Sequence, residues 1–432
     1  MMAGILFASA ALLEAAILIL RLLVKSRRAR LAGWMRVCAC ALFALLTAAG
    51  VIPWDARFWP LGGLLLAQAL FALARLLRKK GAEKPFRPFG GAARTFGALA
   101  LIFLCAIPAI LFPQSGIIPP TGRFQVASIA YTYTDAGRPE TFSATDAYRR
   151  VNAAFWYPKG EQGKYPLVVF SHGGMSVNTS NESLYYELAS NGYVVCSIDH
   201  PYHSMYTEYD DGESVYISGE YMRQLQKEDA KADRQQSFAY YQQWMSLRTD
   251  DMNFVIDTVL DKAEDATAGM PYSLVDGTRI GVMGHSLGGS AALGLGRQRK
   301  DIGAVIAMES PFMCDITGVE DGEFVFISDD YPAPVLNIYS GSSFANLAVW
   351  PQYAQNQRLM EKPQADSFYV NMQGVGHFSL TDLSLTSPLL TRLFNGFEAS
   401  MRAEDCLKAI HRQCLQFFDS YLKKAGNYMG NR

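Results

Sequence analysis

The sequence has no surplus of charge of either sign. Its 39 lysines and arginines are matched by 40 aspartates and glutamates, which leaves a formal net charge of -1. A protein that binds nucleic acid needs a basic surface to meet the phosphates, and this balance offers none. We therefore expect no nucleic-acid partner. With 432 residues, the chain is long enough for two or three domains.

The first apolar run also lacks the basic residues that precede the core of a secretory signal peptide, since the chain begins "MMAGILFAS". We interpret this run as a permanent membrane span. Three more apolar segments follow, and each approaches the ~20 residues that a helix needs to cross the hydrocarbon. The four predicted spans cover residues 4–24, 34–52, 58–77 and 95–112. Buried core helices are the alternative, but four such segments with basic connectors favour a transmembrane region at 1–115.

Basic residues fall on two of the connectors, and this asymmetry predicts the orientation of the spans. They are Arg21, Lys25, Arg27, Arg28, Arg30 and Arg36 in the first connector, and Arg75, Arg78, Lys79, Lys80, Lys84, Arg87 and Arg94 in the third. Because positively charged loops stay in the cytoplasm, we expect the N-terminus and everything after about residue 113 outside the plasma membrane. Glu14 lies within the first span, where it is either a functional group or a polar contact inside the bundle.

Cysteine is scarce. Three of the seven cysteines fall in the predicted spans and four lie downstream: Cys38, Cys40 and Cys105, then Cys196, Cys314, Cys406 and Cys414. An extracytoplasmic domain permits disulfides. Two of the downstream residues, Cys406 and Cys414, sit ~12 Å apart along one helical pattern, which is too far for them to bond each other. The sequence leaves any other pairing open.

From residue 119 to the end, short β-branched runs alternate with longer amphipathic ones. The short runs predict strands at 165–172, 192–199, 278–285, 302–309, 333–340 and 367–374, most of them apolar on both faces. The longer runs predict helices at 181–191, 229–261, 288–298, 348–362 and 403–424. This alternation predicts an α/β domain over 119–432, with a mostly parallel central sheet covered by helices.

Two regions depart from that alternation. The earlier runs "RFQVASIAYTYTD" and "RVNAAFWYP" have antiparallel character, and we expect them at the leading edge of the sheet. A polar, tyrosine-rich insertion covers about 202–248. Such an insertion after a strand either shapes the entrance to a substrate site or is a solvated surface excursion, and the sequence favours neither.

The stretch "RIGVMGHSLGGSAALGLG" places Ser286 between two glycines, after an apolar strand and before a helix of small residues. This is the strand, turn and helix context of the G-x-S-x-G nucleophile elbow, where bulky neighbours would clash. The alternative is a purely structural glycine turn. If Ser286 is a nucleophile, the amide of Leu287 at the helix start faces the developing oxyanion. The amide of Gly174 in "VVFSHGGM" is the second predicted donor.

A serine nucleophile also needs a histidine base. The chain offers His172, His200, His203, His285, His377 and His411. Only His377 lies in a small loop after the last strand, "GVGHFSLTD", and we predict that it is the base. His172 is better explained as a hydrogen-bonding residue of its loop. His200 and His203 have a spacing that suits a metal, but no third ligand accompanies them, so we predict neither metal nor cofactor.

The acid that orients the base is missing from its usual place. In many α/β-hydrolases it follows the second strand after the elbow, which here ends in "PVLNIYSGSSF" and contains no Asp or Glu. The strand directly after the elbow helix ends in "VIAMESPF", with Glu309 at its carboxyl end. We predict Glu309 as the acid, against the alternative of a structural salt bridge. Asp315, Asp329 and Asp382 are weaker candidates.

These motifs resemble the platelet-activating-factor acetylhydrolase group of α/β-hydrolases, and also dienelactone-hydrolase relatives. The similar stretches are "YPLVVFSHGG", "LASNGYVVCSIDHP", "RQLQKEDAKADRQQ", "GHSLGG", "GAVIAMESPF" and "GHFSLTD". In that family the acid follows the strand after the elbow helix and is usually Asp, so the resemblance implies the same position, Glu309, with one more methylene. The members are soluble, secreted or weakly attached to lipid, and the four spans have no counterpart there.

We therefore expect a membrane-anchored serine carboxylester hydrolase with a Ser286, His377 and Glu309 triad. The resemblance implies short-chain or oxidised phospholipids, or small carboxylic esters, as substrates. One alternative is an acyltransferase that uses the same triad. Another is a membrane transporter or sensor that carries an inactive hydrolase-like domain.

Overall fold

The computed structural model describes residues 2–23, 29–77, 88–113, 118–143, 147–265 and 267–431. Contacts divide the chain into two units. One unit contains the four N-terminal helices together with Thr386–Leu389, and the other contains a large sheet with its covering helices.

The four N-terminal helices are each long and apolar enough to cross a membrane. Their bounds are α1 Met2–Leu23, α2 Ala29–Ala48, α3 Trp59–Leu77 and α4 Pro88–Leu111. Two of them begin well before the apolar segments that predicted them. The reason is that hydropathy marks only the apolar part of a helix, and a proline such as Pro88 fits the first turn, where the missing amide hydrogen is not needed.

Glu14 is buried in this helical unit and paired with Arg36, which lies within α2 and not in a connector. Arg36 Nε donates to one carboxylate oxygen at 2.9 Å and Nη2 to the other at 2.5 Å. This bidentate pair satisfies the carboxylate of Glu14, which is 1% exposed. Of the two roles considered for Glu14, the polar contact inside the bundle is the one seen.

Eight of the basic residues used to predict the orientation lie outside the described residues: Lys25, Arg27, Arg28, Arg78, Lys79, Lys80, Lys84 and Arg87. The orientation of the spans stays a prediction.

The second unit is built on an eight-stranded sheet with the order β1-β2-β4-β3-β7-β8-β11-β12. These strands are β1 Val126–Pro139, β2 Tyr148–Pro158, β3 Tyr165–Ser171, β4 Val194–Asp199, β7 Val275–His285, β8 Ile302–Met308, β11 Val335–Ser340 and β12 Ser367–Met372. The pairings from β4 to β12 are parallel, and β2 pairs antiparallel with both β1 and β4. The predicted mostly parallel sheet is confirmed, with its antiparallel leading edge.

Helices and two short ribbons fill the connections. The helices are α5 Glu182–Ser190, α6 Gly219–Lys227, α7 Arg234–Glu264, α8 Leu287–Gln298, α9 Gly341–Phe344, α10 Ala354–Glu361, α11 Leu383–Thr386, α12 Pro388–Asn395 and α13 Ala403–Leu422. The ribbons pair β5 Tyr206–Glu208 with β6 Ser214–Tyr216, and β9 Ile316–Glu320 with β10 Glu323–Phe326.

Two predicted helices begin later than their patterns suggested. The helix expected from residue 229 begins at Arg234, because the side chain of Asp233 caps it by accepting from the amide of Gln236 at 2.9 Å. The one expected from residue 348 begins at Ala354, after a 3-10 turn at Pro351–Tyr353. The insertion at 202–248 is ordered structure, comprising the β5–β6 ribbon, α6 and the first half of α7.

Alternation along β3 sends its side chains to two separate cores. Leu167 and Val169 belong to one apolar cluster, with residues of α7 and α8, and Val168 and Phe170 belong to the other, with residues of α5 and α13. Successive residues of a strand face opposite sides, so the sheet is covered on both faces. Both faces of the sheet are thereby packed, and the carboxyl ends of its parallel strands lie along one edge.

Replacing Phe417 by Ala tests the core beneath α13. The ring is fully buried and lies against Phe368, Tyr421 and Tyr428. We expect a loss of about 3–5 kcal/mol in the free energy of unfolding, because a large cavity replaces these contacts. Chemical unfolding followed by tyrosine and tryptophan fluorescence measures the loss. The exposed neighbour Gln416→Ala is the control, and equal stability of the two variants would contradict the assignment.

Candidate active site

Ser286 sits at the tip of a turn between β7 and α8. Its backbone has φ 55° and ψ −125°, a left-handed conformation that is rare for a residue with a side chain. A Cβ on Gly288 would come within 1.9 Å of the Ser171 carbonyl oxygen, and one on Gly284 within 2.4 Å of the Gly288 carbonyl carbon. Only glycine fits at either position. The geometry is that of a nucleophile elbow, with Ser286 half-buried at its tip.

The elbow is fixed to the neighbouring strand and to the helix that follows it. The Ser286 amide donates to the carbonyl of Met308, the last residue of β8, at 2.7 Å. Leu287 is the first residue of α8, and amides of a first helical turn have no partner within the helix. Together with the helix dipole, this makes the Leu287 amide a candidate donor to a negative oxygen near Ser286.

Glu309 and His377 are brought together from distant parts of the chain. Glu309 directly follows β8, and His377 lies in a 3-10 turn, His377–Leu380, that follows β12. The His377 Nδ1 atom is 3.2 Å from Glu309 Oε2. The Glu309 side chain is fully buried, whereas the imidazole is about one-third exposed. A carboxylate at this distance fixes both the tautomer and the direction of the ring.

Two serines complete the surroundings of the Glu309 carboxylate. The Ser340 amide donates to Oε1 and the Ser343 hydroxyl to Oε2. Burial opposes ionisation of Glu309, but the hydrogen bond and charge of His377 and the two serine donors outweigh it, so its pKa lies below the usual value. Both serines belong to "YSGSSF", the loop in which an acid was missing. Sequence reasoning overlooked them, although their position after β11 was the available signal.

Ser286 Oγ and the His377 ring form no hydrogen bond in the part of the chain that the structure describes. The residue before Ser286, His285, has its ring centre 4.6 Å from that of His377. His285 Nε2 lies 3.1 Å from the His377 carbonyl oxygen, which can only accept, so His285 carries its proton on Nε2. Burial lowers the pKa of His285 to about 3. It is a neutral support for the His377 turn. The hydrogen bond between a catalytic serine and its histidine is often long or absent without substrate and forms fully when substrate is bound.

The loop that contains Gly174 lies against the elbow. A Cβ on Gly173 would be 3.4 Å from Ser286 Cβ, and one on Gly174 would be 3.1 Å from Leu287 Cδ1. The predicted donor residues Gly174 and Leu287 are thus neighbours beside Ser286. His172 precedes them, fully buried, with Nδ1 2.6 Å from the Gly173 carbonyl oxygen. It is a hydrogen-bonding residue of the loop.

The remaining histidines are engaged elsewhere. His200 Nδ1 is 3.0 Å from Asp251 Oδ2 and its Nε2 2.8 Å from Ser171 Oγ. His203 stacks on Tyr221, with ring centres 3.7 Å apart and an interplanar angle of 4°. His411 Nε2 is 3.1 Å from Ser183 Oγ. Within the described ranges, no three His, Cys, Asp or Glu side chains converge as they would around a metal ion.

The weaker acid candidates also have other partners. Asp315 forms a two-pronged ion pair with Arg297, at 2.9 and 2.8 Å. Asp382 accepts from the amide and hydroxyl of Ser183 at the start of α5. Asp329 accepts from Arg297 through its backbone carbonyl, at 3.1 Å. Among the described residues, Glu309 is the one of these four carboxylates whose oxygen lies within hydrogen-bond distance of His377.

Comparisons with known proteins agree on one family and one fold. The family model "Platelet-activating factor acetylhydrolase, isoform II" matches residues 145–431. A platelet-activating factor acetylhydrolase of Cavia porcellus is 25% identical over 276 residues, covering 61% of this chain and 59% of that protein. One of Canis lupus familiaris is 23% identical over 278 residues, covering 60% and 57%. The chain therefore spans less than two thirds of these relatives' length.

A solved structure shares the fold. The ferulic acid esterase from Streptomyces cinnamoneus superimposes with a TM-score of 0.56 at 19% sequence identity. The match covers 73% of this chain and 95% of the esterase chain. The predicted α/β-hydrolase fold is confirmed, with four apolar helices ahead of it.

Substituting Glu309 by Gln tests the role of the buried carboxylate. We expect kcat to fall by about three to four orders of magnitude, because an amide no longer stabilises the imidazolium of His377. Hydrolysis of a chromogenic ester by the purified full chain measures the loss. Asp315→Asn is the matched control, since it also neutralises a carboxylate that is paired with a basic residue. Wild-type turnover in Glu309→Gln would remove Glu309 from the site.

Proposed function

The chain belongs to the platelet-activating factor acetylhydrolase, isoform II, family, and we propose that it is a serine ester hydrolase in which Ser286 is the nucleophile, His377 the general base and Glu309 the acid. One observation carries the proposal. At the edge where parallel strands end, a serine on a strained elbow follows His285, and the ring of His285 packs against an imidazole, His377, that is held by a buried carboxylate. This combination supplies the three groups that nucleophilic acyl transfer requires.

The chemistry follows from these positions. Ser286 Oγ attacks the acyl carbonyl carbon while His377 Nε2 takes the hydroxyl proton, and the carbonyl oxygen becomes an oxyanion. The amides of Leu287 and Gly174 donate to that oxygen. His377 then gives the proton to the leaving alcohol, and an acyl-serine remains. Water, deprotonated by the same imidazole, then attacks the acyl carbon. The bond between that carbon and Ser286 Oγ breaks, His377 returns the proton to Oγ, and the carboxylic acid is released.

We propose an amphiphilic ester as the substrate, of the phospholipid class with a short or oxidised acyl chain. The relatives are named for the hydrolysis of platelet-activating factor. An apolar surface beside the His377 turn supports the proposal. On α12, Leu393 and Phe394 are 68% and 54% exposed, and the Phe394 ring lies 5.2 Å from that of Phe378, which adjoins His377. Exposed apolar side chains of this size are typical of contact with lipid or another apolar surface.

The end of α12 is joined to the same turn by polar contacts. Asn395 Oδ1 accepts from the Phe378 amide at 2.9 Å, and its Nδ2 donates to Ser379 Oγ at 3.0 Å. The apolar surface and the proposed base thus belong to one hydrogen-bonded assembly. A lipid-facing segment there would bring the ester group to the triad without a long path through water.

We further propose that α1 to α4 anchor the enzyme in the plasma membrane, with the N-terminus and the catalytic domain at 119–432 on the extracytoplasmic side. Large apolar side chains on these helices are largely exposed, including Leu23, Phe71, Leu77 and Phe96 at 72–82%. In water such a surface is unfavourable, and in hydrocarbon it is the expected one. Anchoring would hold the triad close to its lipid substrate.

Substituting Ser286 by Ala tests the nucleophile. We expect a fall in kcat of at least about three orders of magnitude and complete loss of labelling by a fluorophosphonate probe, because the attacking oxygen is gone. A panel of p-nitrophenyl esters and phospholipids of graded acyl length gives the substrate class, and acetyl or oxidised chains are expected to exceed palmitoyl ones. Ser420→Ala on α13 is the control. Full activity of Ser286→Ala would refute the assignment.

Protease treatment of intact cells tests the topology. An epitope tag at the C-terminus is expected to be removed from outside, because the catalytic domain follows an even number of spans from an external N-terminus. Extraction with alkaline carbonate is expected to leave the protein in the membrane pellet. Protection of the tag in intact cells, with cleavage only after permeabilisation, would reverse the proposed orientation.

A further inference from the structure

Arg248 is a fully buried arginine on α7 whose guanidinium lies against the loop that carries Gly174. Its Nη1 donates to the His172 carbonyl at 2.6 Å and to Ser171 Oγ at 3.4 Å, and its Nη2 donates to the Gly173 carbonyl at 3.3 Å. We propose that Arg248 is a positioning residue, which orients the Gly174 amide towards the oxyanion. The inference rests on the proposed function of Ser286 and names a further residue for the same reaction.

Stability alone gives little reason for a guanidinium here. Among the described residues, no carboxylate lies within ion-pair distance of Arg248, and its Nε is buried without a hydrogen-bond partner. Burying a cation away from water is costly unless it is paired, and an apolar side chain of similar volume is often at least as stable in such a place. The donors of Arg248 go instead to two consecutive backbone carbonyls of one loop. Its contacts are therefore specific to the conformation of that loop.

His172 also donates to the Gly173 carbonyl. A carbonyl oxygen can only accept, so the 2.6 Å contact between His172 Nδ1 and the Gly173 oxygen requires the proton on Nδ1. The His200 amide donates to Nε2 at 3.3 Å, in agreement with that tautomer. Burial and the charge of Arg248 hold the pKa of His172 well below its usual value, so the ring is neutral. The Gly173 carbonyl thus receives two hydrogen bonds.

Fixing that carbonyl also fixes the amide. The Gly173 carbonyl and the Gly174 N–H belong to one planar trans peptide group and point in opposite directions. When Arg248 and His172 hold the oxygen on one side, the N–H is directed to the other. A Gly-Gly pair has the least intrinsic restraint of any dipeptide, so the direction has to be imposed from outside. The close contacts of Gly173 and Gly174 with Ser286 and Leu287 place this peptide at the elbow.

Loss of Arg248 should affect turnover separately from folding. A misdirected amide weakens the stabilisation of the oxyanion and leaves ground-state binding of the ester nearly unchanged. The loss should appear in kcat and in the affinity for a trifluoromethyl ketone. Ser286 Oγ adds to the carbonyl carbon of this inhibitor, the hydroxyl proton passes to His377, and the carbonyl oxygen becomes an oxyanion. A purely structural residue would change the amount of folded protein without changing either constant per active site.

The experiment compares Arg248→Met and Arg248→Lys in the detergent-solubilised full chain, with active sites counted by fluorophosphonate labelling at completion. We expect kcat of Arg248→Met to fall by about 100-fold, with KM within about threefold, and Ki for the ketone to rise by a similar factor. Arg248→Lys should retain more activity, since an ammonium can still donate to one carbonyl.

The matched control is Arg297→Met. Arg297 also donates to two backbone carbonyls, those of Asp329 and Asp330, in a different loop. It should keep wild-type kcat per active site.

Wild-type kcat per active site in Arg248→Met would overturn the proposal, as would a fall in kcat with unchanged ketone affinity. If Arg248→Met does not fold, His172→Asn and His172→Leu test instead whether a hydrogen bond to the Gly173 carbonyl is needed for turnover. The Asn amide can still donate to the Gly173 carbonyl and Leu cannot, so the Leu variant should lose at least about tenfold more kcat. Equal kcat in the two would overturn the proposal. Activity in Ser286→Ala would instead refute the proposed nucleophile, so the two failures are distinguishable.

Discussion

The contact between Gly288 and the carbonyl of Ser171 determines the geometry of the whole site. A methyl group at Gly288 would overlap that oxygen, so the start of α8 packs directly on the end of β3. The two strands that end there, β3 and β7, are adjacent and parallel. The serine from one and the glycine loop from the other are consequently neighbours, although more than a hundred residues separate them. This close packing of two backbones is thus what places the candidate nucleophile beside its candidate oxyanion donor.

Buried polar groups next to the glycine loop support its position beside Ser286. Behind the glycine loop, Ser171, His200 and Asp251 form a continuous hydrogen-bonded chain, and Arg149 pairs with Asp251 through Nη2 at 2.7 Å. The Asp251 pKa is held below its usual value, because the Arg149 charge and the His200 and Arg149 hydrogen bonds outweigh the effect of burial. Fully satisfied networks of this kind make one conformation much more favourable than its alternatives. The loop beside the candidate nucleophile is therefore supported by charge as well as by packing.

The sequence predicted the parallel sheet and the elbow because both have short, local signatures: runs that are apolar on both faces, and glycines two residues from a serine. It also predicted Glu309 as the acid, since the loop after β11 contains no Asp or Glu, and the structure brings Glu309 to His377. Other features depended on contacts between distant segments. No local pattern marks the pairing of Glu14 with Arg36 or the serine donors to Glu309. The same is true of the burial of Arg248, a residue of α7, against the loop that follows β3. The early starts of α2 and α4 escaped hydropathy because arginine in the first turn of α2, and proline and glycine in that of α4, interrupt the apolar run.

The carboxylate of Glu309 receives its hydrogen bonds from the loop after the neighbouring strand, and this has a consequence for how such a site can change. The candidate acid Glu309 follows β8, its donors Ser340 and Ser343 lie at the end of β11 and in α9, and β8 and β11 are paired side by side. The imidazole requires a negative charge at one point in space and is indifferent to which backbone carries it. Two adjacent strands end within reach of that point. The candidate acid is therefore defined by its place beside the imidazole more than by the strand that precedes it.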